Sequence, residues 1–441
     1  MVERIIVDTG LGKGVEEYGN MGDVSMLQVA VDRLHRLFPN ACIEVLTDSA
    51  ENLARFCPAA KPLENLGRSA WFANGILQGT YTNSMIGDLV DLLVKLKRVV
   101  KRICPNLLRG IVRPIVIWRL KKRSQSGGSD AVSTFTGAMQ NADLLLICGA
   151  GGFFDGCRAW NLDTLDLLEA AIQRNMPVAM LGQGFGPLSD PLVLKRASKV
   201  LPKVDFITLR GSPGSRALLQ SLGVDGSKIE TTGDEALELA YESRSEEPGY
   251  GLGLNLRFAA SASTDDDDIE SIRPVLQDFA RRNAVSFIPL PIAIQLYTRD
   301  DLAIKRLLIG FDDESDGGKN LDSPLKVIKQ AALCRVVVTG AYHAAVFALA
   351  QGIPVIGLAK SAYFASKFEG LENQFGEGCR TIQINEPDLS HRLLSAIERA
   401  WQNADQLREP LLAKASKQIE LSRRSYERIK KVAAARVKAT S

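Results

Sequence analysis

One of only three histidines in the chain, His343, stands where an imidazole can do chemistry. It follows the β-branched run "RVVVTG" (335–340) and opens an apolar, helix-forming stretch, "AAVFALAQG". A strand that stops in glycine and leads into a helix puts the next residues at the helix N-terminus. The positive end of the dipole there disfavours the protonated imidazole. Such a histidine suits acid–base work or donation of a hydrogen bond to an anion. The structural alternative is a core histidine satisfied by one backbone bond; we favour function.

Charged side chains end other strand-like runs in the same way. Arg210 closes "DFITL" and precedes "GSPGS". Its planar fork suits a carboxylate or a phosphate, although a surface arginine paired with a nearby acid would read alike. Arg257 ends "GLGLNLR" and Lys360 follows "PVIGLA". In "TTGDEA" (231–236), Asp234 is either a helix cap or a carboxylate turned toward a cleft.

Three glycine-rich loops accompany them: "GLGKGVEEYGNMGD" (10–23), "GAGGFFDG" (149–156, with Gly151 and Gly152) and "GQGFGP" (182–187, with Gly184). The first is neither a P-loop nor a dinucleotide fingerprint, because its glycines fall as GxGxG. Asn20 and Asp23 can cap the helix that follows it. Three such loops at successive strand ends offer backbone amides to a polar ligand lying across the sheet edge.

The elements that must position these residues are legible from their periodicity. Short apolar runs alternate with longer helical patterns, as in βα units and a parallel sheet. The runs are "RIIVDTG" (4–10), "CIEVLTD" (42–48), "ADLLLICGAGG" (142–152), "PVAMLGQGFGP" (177–187) and "DFITLRG" (205–211). The charged, then Pro- and Gly-bearing "YESRSEEPGYG" (241–251) reads as a linker, and beyond it the alternation restarts. The expectation is an N-terminal α/β domain over 1–243, a C-terminal one over 249–403 and a basic helix over 404–441. Two doubly wound domains facing a cleft would bring ligands to the carboxyl ends of their strands.

A length of 441 residues, 46% of them hydrophobic, allows two or three domains, and a net charge of +3 gives no general case for nucleic acid. Seven scattered cysteines without CxxC spacing argue against a disulfide framework or structural zinc. The charged start "MVERIIVDTGLG" is no signal peptide, so the expected location is cytoplasmic. One segment breaks the alternation. Residues 83–123 carry eleven Lys or Arg against Asp88 and Asp91 alone, with apolar residues interleaved throughout. This reads as a basic amphipathic helix pair suited to the inner membrane surface, or as an insertion packed on the first domain. A flexible connector follows it, to about 129.

The motifs "YGNMGD" (18–23), "GAGGFFDG" (149–156), "PVAMLGQGFGPLSD" (177–190), "ITLRGSPGSRALLQSLGV" (207–224), "TTGDEA" (231–236), "GLNLR" (253–257) and "YHAAVFALAQGIPVIGL" (342–358) occur in the order seen in the polysaccharide pyruvyl transferase family. The chain resembles that family over nearly its whole length apart from 83–123. The resemblance implies a GT-B-like pair of α/β domains. It also implies transfer of the enolpyruvyl unit of phosphoenolpyruvate onto two sugar hydroxyls, giving a cyclic ketal and releasing phosphate, with no cofactor or metal.

Arg210 matches the arginine after the family's "IT" strand, and His343 the histidine of its Arg-x-His element. His343 would then act on the proton transfer or the leaving phosphate. Arg210, Arg257 and Lys360, with Gly151, Gly152 and Gly184, would hold the donor. Asp234 or Asp23 would approach the sugar hydroxyls, with Asn20 beside the acceptor. The acceptor would be a saccharide, and a lipid-linked one would suit the basic segment.

Two positions depart from the family: the arginine of Arg-x-His is Ala341, and the acid after the first-domain arginine is Gly211. Losing a guanidinium removes a contact worth roughly 1.5–3 kcal/mol, so Arg257 or Lys360 substitutes or the donor differs. Two alternatives remain. One is a nucleotide-sugar glycosyltransferase, with Glu369 or Glu372 as the ribose acid. The other is a catalytically silent, membrane-attached assembly protein.

Overall fold

The computed structural model describes residues 2–10, 18–71, 128–259, 261–295, 298–311 and 316–440. The basic segment 83–123, and the membrane-surface expectation with it, lies outside them. The apolar runs of the first half become β1 (Arg4–Asp8), β2 (Cys42–Thr47), β3 (Lys61–Glu64), β4 (Leu144–Ile147), β5 (Val178–Gln183), β6 (Phe206–Leu209) and β7 (Ile229–Thr231). They form one parallel sheet in the order β3-β2-β1-β4-β5-β6-β7.

In the second half, β8 (Gly251–Asn255), β9 (Phe287–Pro289), β12 (Cys334–Thr339), β13 (Val355–Ala359) and β14 (Cys379–Gln383) form a parallel sheet ordered β14-β13-β12-β8-β9. A small hairpin, β10 (Ile294–Gln295) and β11 (Thr298–Arg299), stands apart. Central strands such as β4 and β5 are buried at every position, which explains why their sequences run apolar instead of alternating.

The helices of the first half are α1 (Met21–Leu37), α2 (Ala50–Phe56), α3 (Asn65–Trp71), α4 (Gly128–Asn141), α5 (Arg158–Gln173), α6 (Pro191–Val200), α7 (Ser215–Ser221) and α8 (Ala236–Glu242). The second half adds α9 (Asp266–Asn283), α10 (Asp300–Leu308), α11 (Pro324–Ala331), α12 (Tyr342–Ala350), α13 (Ala362–Phe375) and α14 (Leu389–Thr440). Strand order reverses between β1 and β4 in one sheet and between β8 and β12 in the other. The crevice beyond such a reversal is where open α/β sheets bind ligands.

The apolar core continues from one sheet to the other. Every residue of α12 is buried, as befits a helix with no polar face. It packs on α1 and α8 of the first half and on α11 and α14. One buried cluster runs from Leu27 and Leu237 through Ala345 and Leu349 to Ile328.

The C-terminal helix, expected from residue 404, starts at Leu389 and runs unbroken to Thr440. It begins against the second sheet, where Leu393 and Ile397 are buried, and ends against the first. There Arg423 pairs with Glu238 at 2.7 Å, and Arg33 of α1 donates from Nε to the same carboxylate at 2.8 Å. The Tyr426 hydroxyl donates to Glu235 Oε1 at 2.5 Å. Among the described residues no helix is long and apolar enough to cross a membrane.

Burial pushes the Glu235 carboxyl up from 4.5 to about 7, against the lowering pull of Arg33 and Tyr426. Between those values the folded protein holds a proton that the unfolded chain has released. Stability linked to Glu235 is therefore present at low pH and lost as pH rises through the window. Urea unfolding at pH 5 and pH 7 should show this loss, on the order of 2 kcal/mol, in the wild type. Glu235→Gln, which does not titrate, should flatten it.

Candidate active site

The site is organised by Asp234, in the turn between β7 and α8. Its Oδ1 accepts from the Ala236 amide at 2.9 Å. Its Oδ2 lies 3.4 Å from Arg210 Nη1 and 3.6 Å from His343 Nε2. Burial works to raise this carboxyl, but the His343 imidazole, the Arg210 guanidinium and the Ala236 amide outweigh it and hold it below the usual range. Asp234 therefore starts a helix and binds two site residues. With 0% of its side chain exposed, it does not approach sugar hydroxyls as the sequence led us to expect.

His343 enters from the other half, in the first turn of α12. The Gly340 amide donates to Asn255 O at 3.0 Å, tying the ends of β12 and β8 together. The Ala341 amide donates to Thr339 Oγ1 at 2.9 Å, which shapes the helix start. The N-terminus of α1 lies against the ring: a Cβ built on Gly22 would stand 1.9 Å from His343 Cγ and 2.0 Å from Nδ1. Only glycine allows that approach. Nε2 is buried and has no hydrogen-bond partner.

Arg210 follows β6, and its side chain is 1% exposed. The guanidinium carbon lies 4.5 Å from the centre of the Tyr342 ring, a cation–π contact. Nη1 goes to Asp234, while Nε is buried without a partner. The glycine loops close on this guanidinium. A Cβ on Gly184 would meet Nε at 3.1 Å, and one on Gly151 would meet Nη2 at 2.2 Å.

The loops were expected to present amides to an anion, and one of those amides has another partner. The Gly184 amide is given to Ala150 O at 2.9 Å. Gly152 is glycine because Trp160 Cζ3 would lie 2.5 Å from its Cβ. The two family departures have physical reasons as well. A Cβ on Gly211, which has a φ of +107°, would stand 2.0 Å from Gln374 Nε2, the group that donates to Arg210 O. Ala341 is fully buried in the core shared by the two sheets.

Other expected residues have other partners. Lys360 binds Asp265 at 2.6 Å and Asp268 at 3.0 Å, the capping box of α9, so its charge holds a helix start instead of a donor. Asn20 caps α1, its Oδ1 accepting from the amides of Gly22 and Asp23 at 3.1 and 3.4 Å, and this occupies the oxygen assigned to an acceptor. Arg257 pairs with Asp300 at 3.2 Å but keeps a buried, unpartnered Nε. Asp23 is half-buried in the first turn of α1, within electrostatic reach of Arg210. Glu372 binds Arg380 at 3.1 Å, and Glu369 is exposed.

Sequence reasoning missed α13. The Tyr363 hydroxyl donates to Gly151 O at 2.6 Å, and its ring stacks on Phe154 with centroids 3.9 Å apart. One turn on, Lys367 Nζ lies 4.0 Å from the centre of the Tyr363 ring. The available signal was a lysine among aromatics at helical spacing in "YFASKF".

No curated protein sequence matches the chain. Three solved structures are similar to it in fold. The UDP-GlcNAc 2-epimerase of Methanocaldococcus jannaschii has a TM-score of 0.51 at 12% identity, with 96% of this chain and 99% of that one covered. The enzyme from Neisseria meningitidis bound to UDP-GlcNAc gives 0.50 at 12%, with 95% and 99% covered. S. aureus MnaA, in a co-structure with UDP, gives 0.52 at 11%, with 94% of each covered. At such identities the likeness concerns the fold, and that fold is GT-B. A sequence model described as polysaccharide pyruvyl transferase matches residues 20–361, most of the chain. This protein thus belongs to the polysaccharide pyruvyl transferase family and is a transferase of polysaccharide biosynthesis with the GT-B fold.

Proposed function

We propose that the protein transfers the enolpyruvyl unit of phosphoenolpyruvate to two hydroxyls of a saccharide. The observation that carries this reading is the Arg210 guanidinium, buried, joined to Asp234 through Nη1 and left with an unpaired Nε. Beside it stands a buried imidazole whose Nε2 faces the Asp234 carboxylate at 3.6 Å without a close hydrogen bond. A donor bearing a carboxylate and a phosphate suits such groups.

The chemistry balances without a cofactor. The methylene carbon of phosphoenolpyruvate gains a proton and becomes a methyl group. The cationic carbon left beside it takes the first hydroxyl oxygen, whose proton passes to a base. The second oxygen then displaces phosphate from that carbon, and its proton leaves with the phosphate. On this reading His343 supplies the first proton or protonates the departing phosphate. Asp234, 3.6 Å from Nε2, orients the imidazole. Asp23, half-exposed beside Gly22, is the base for a sugar hydroxyl. Arg210 and Arg257 hold the anion. A lipid-linked acceptor belongs to the same reading, and undiminished vesicle binding after deletion of 83–123 would remove that link.

Thermal unfolding with added ligand tests the donor, because a ligand that binds only the folded state raises the apparent stability. Phosphoenolpyruvate should stabilise the protein where UDP-GlcNAc does not. Arg210→Ala should weaken the effect by about ten- to a hundredfold in concentration. Stabilisation by UDP-GlcNAc alone would replace this reading with the glycosyltransferase one. In a separate test of the α1 contact, Gly22→Ala should push the imidazole aside. Its loss of phosphoenolpyruvate binding in titration calorimetry should equal that of His343→Ala, about tenfold, and unimpaired binding would refute the contact's role.

A further inference from the structure

Arg210 is not the only cation at Gly151. A Cβ on that residue would stand 2.2 Å from Arg210 Nη2, 2.8 Å from the Tyr363 hydroxyl and 3.1 Å from Lys367 Nζ, so three donors from two halves converge on one point. Lys367 forms no hydrogen bond or ion pair with any described residue. Its ammonium lies over aromatic rings, with centroids of Tyr363 at 4.0 Å, Phe364 at 5.0 Å and Tyr342 at 5.6 Å. The other cations differ. Arg257 is tied to Asp300, Lys360 to Asp265 and Asp268, and Arg210 in part to Asp234.

A half-buried ammonium beside a guanidinium, with no carboxylate bonded to it, is unfavourable for the empty protein. Such an arrangement is what an incoming anion relieves. We propose that Lys367 is a second donor-binding cation, closing with Arg210 on the anionic group and supplying from α13 the positive charge that Ala341 does not provide from α12. The assignment rests on the reading that this cleft takes an anionic donor.

A thermodynamic signature follows. Desolvation, and then Arg210, hold the Lys367 ammonium well below its ordinary value. The groups facing it are Arg210 after β6, Arg257 after β8, Asp23 of α1, Cys157 before α5, Tyr342 of α12 and Tyr363 of its own helix. Asp23 and Cys157 favour the charged form, and the two arginines oppose it. A bound anion adds to the first group, so binding draws a proton onto the amine. Affinity is then greatest below the free protein's value and falls as pH rises through it.

The experiment is isothermal titration of phosphoenolpyruvate, and separately of UDP, in two buffers of different ionisation enthalpy at one pH. Wild type is compared with Lys367→Met. We expect phosphoenolpyruvate to bind wild type with a buffer-dependent enthalpy that reports proton uptake. In Lys367→Met, binding should weaken about ten- to a hundredfold and the buffer dependence should vanish, with the urea midpoint unchanged or raised. The wild-type buffer dependence needs no variant to fold, and its absence on binding would overturn the proposal. Equal phosphoenolpyruvate binding by both proteins would also overturn it while leaving the donor reading intact. Binding of UDP but not phosphoenolpyruvate, lost in Lys367→Met, would sink the donor reading and keep the Lys367 assignment. Binding of neither would sink both.

Discussion

A carboxylate from the first half of the chain is stripped of water between an arginine of that half and a histidine of the other. Removing the Asp234 carboxylate from solvent costs several kcal/mol, and the loss is recovered only if its partners arrive in good geometry. Arg210 reaches it through the sheet on which both lie, whereas His343 comes from the second sheet. The arrangement therefore exists only while the halves are docked. The apolar α12 makes docking the resting state, because separation would expose a helix with no polar face. The same helix carries the histidine in its first turn, so packing and chemistry use a single element.

The charges of the cleft divide by what holds them. Lys360 is balanced by carboxylates of its own half and holds a helix start, whereas Arg257 pairs with Asp300 yet keeps an unpartnered Nε. Arg210 is balanced on one side alone, and Lys367 on none. Proximity to a strand end is thus a weak criterion for a binding cation. The informative property is a donor left without a partner in a desolvated place, since folding alone gives no reason for it.

Much of the architecture could be read in the chain because strand and helix are written in periodicity. "LLLI" and "VAMLGQ" run apolar where both sheet faces are covered, and each stops in glycine. His343, Arg210 and Arg257 were placed at strand ends by that logic, and the structure puts them there. The glycines were visible, but their neighbours were not. Gly151 and Gly184 read as offering amides to a ligand, yet they make room for Arg210, as Gly22 does for His343, contacts that no local pattern records. Asn20 and Lys360 were read toward substrate because their partners, two amides and a capping box, lie in the folded turn. Lys367 was hidden for the opposite reason. It sits inside a helix, six positions past the end of the family match at residue 361, and its meaning depends on a residue of the other sheet.

The path of α14 has a consequence for how the protein is made. Arg423, which neutralises Glu238, lies 185 residues further along the chain, and Tyr426 meets Glu235 later still. At synthesis rates of about 5–20 residues per second, this interval lasts roughly ten to forty seconds. Throughout it the first sheet is complete in sequence, yet its buried acids lack their final partners. The nascent first half must persist as an unfinished body, open to proteases and to wrong pairings, until the last helix is threaded back across it.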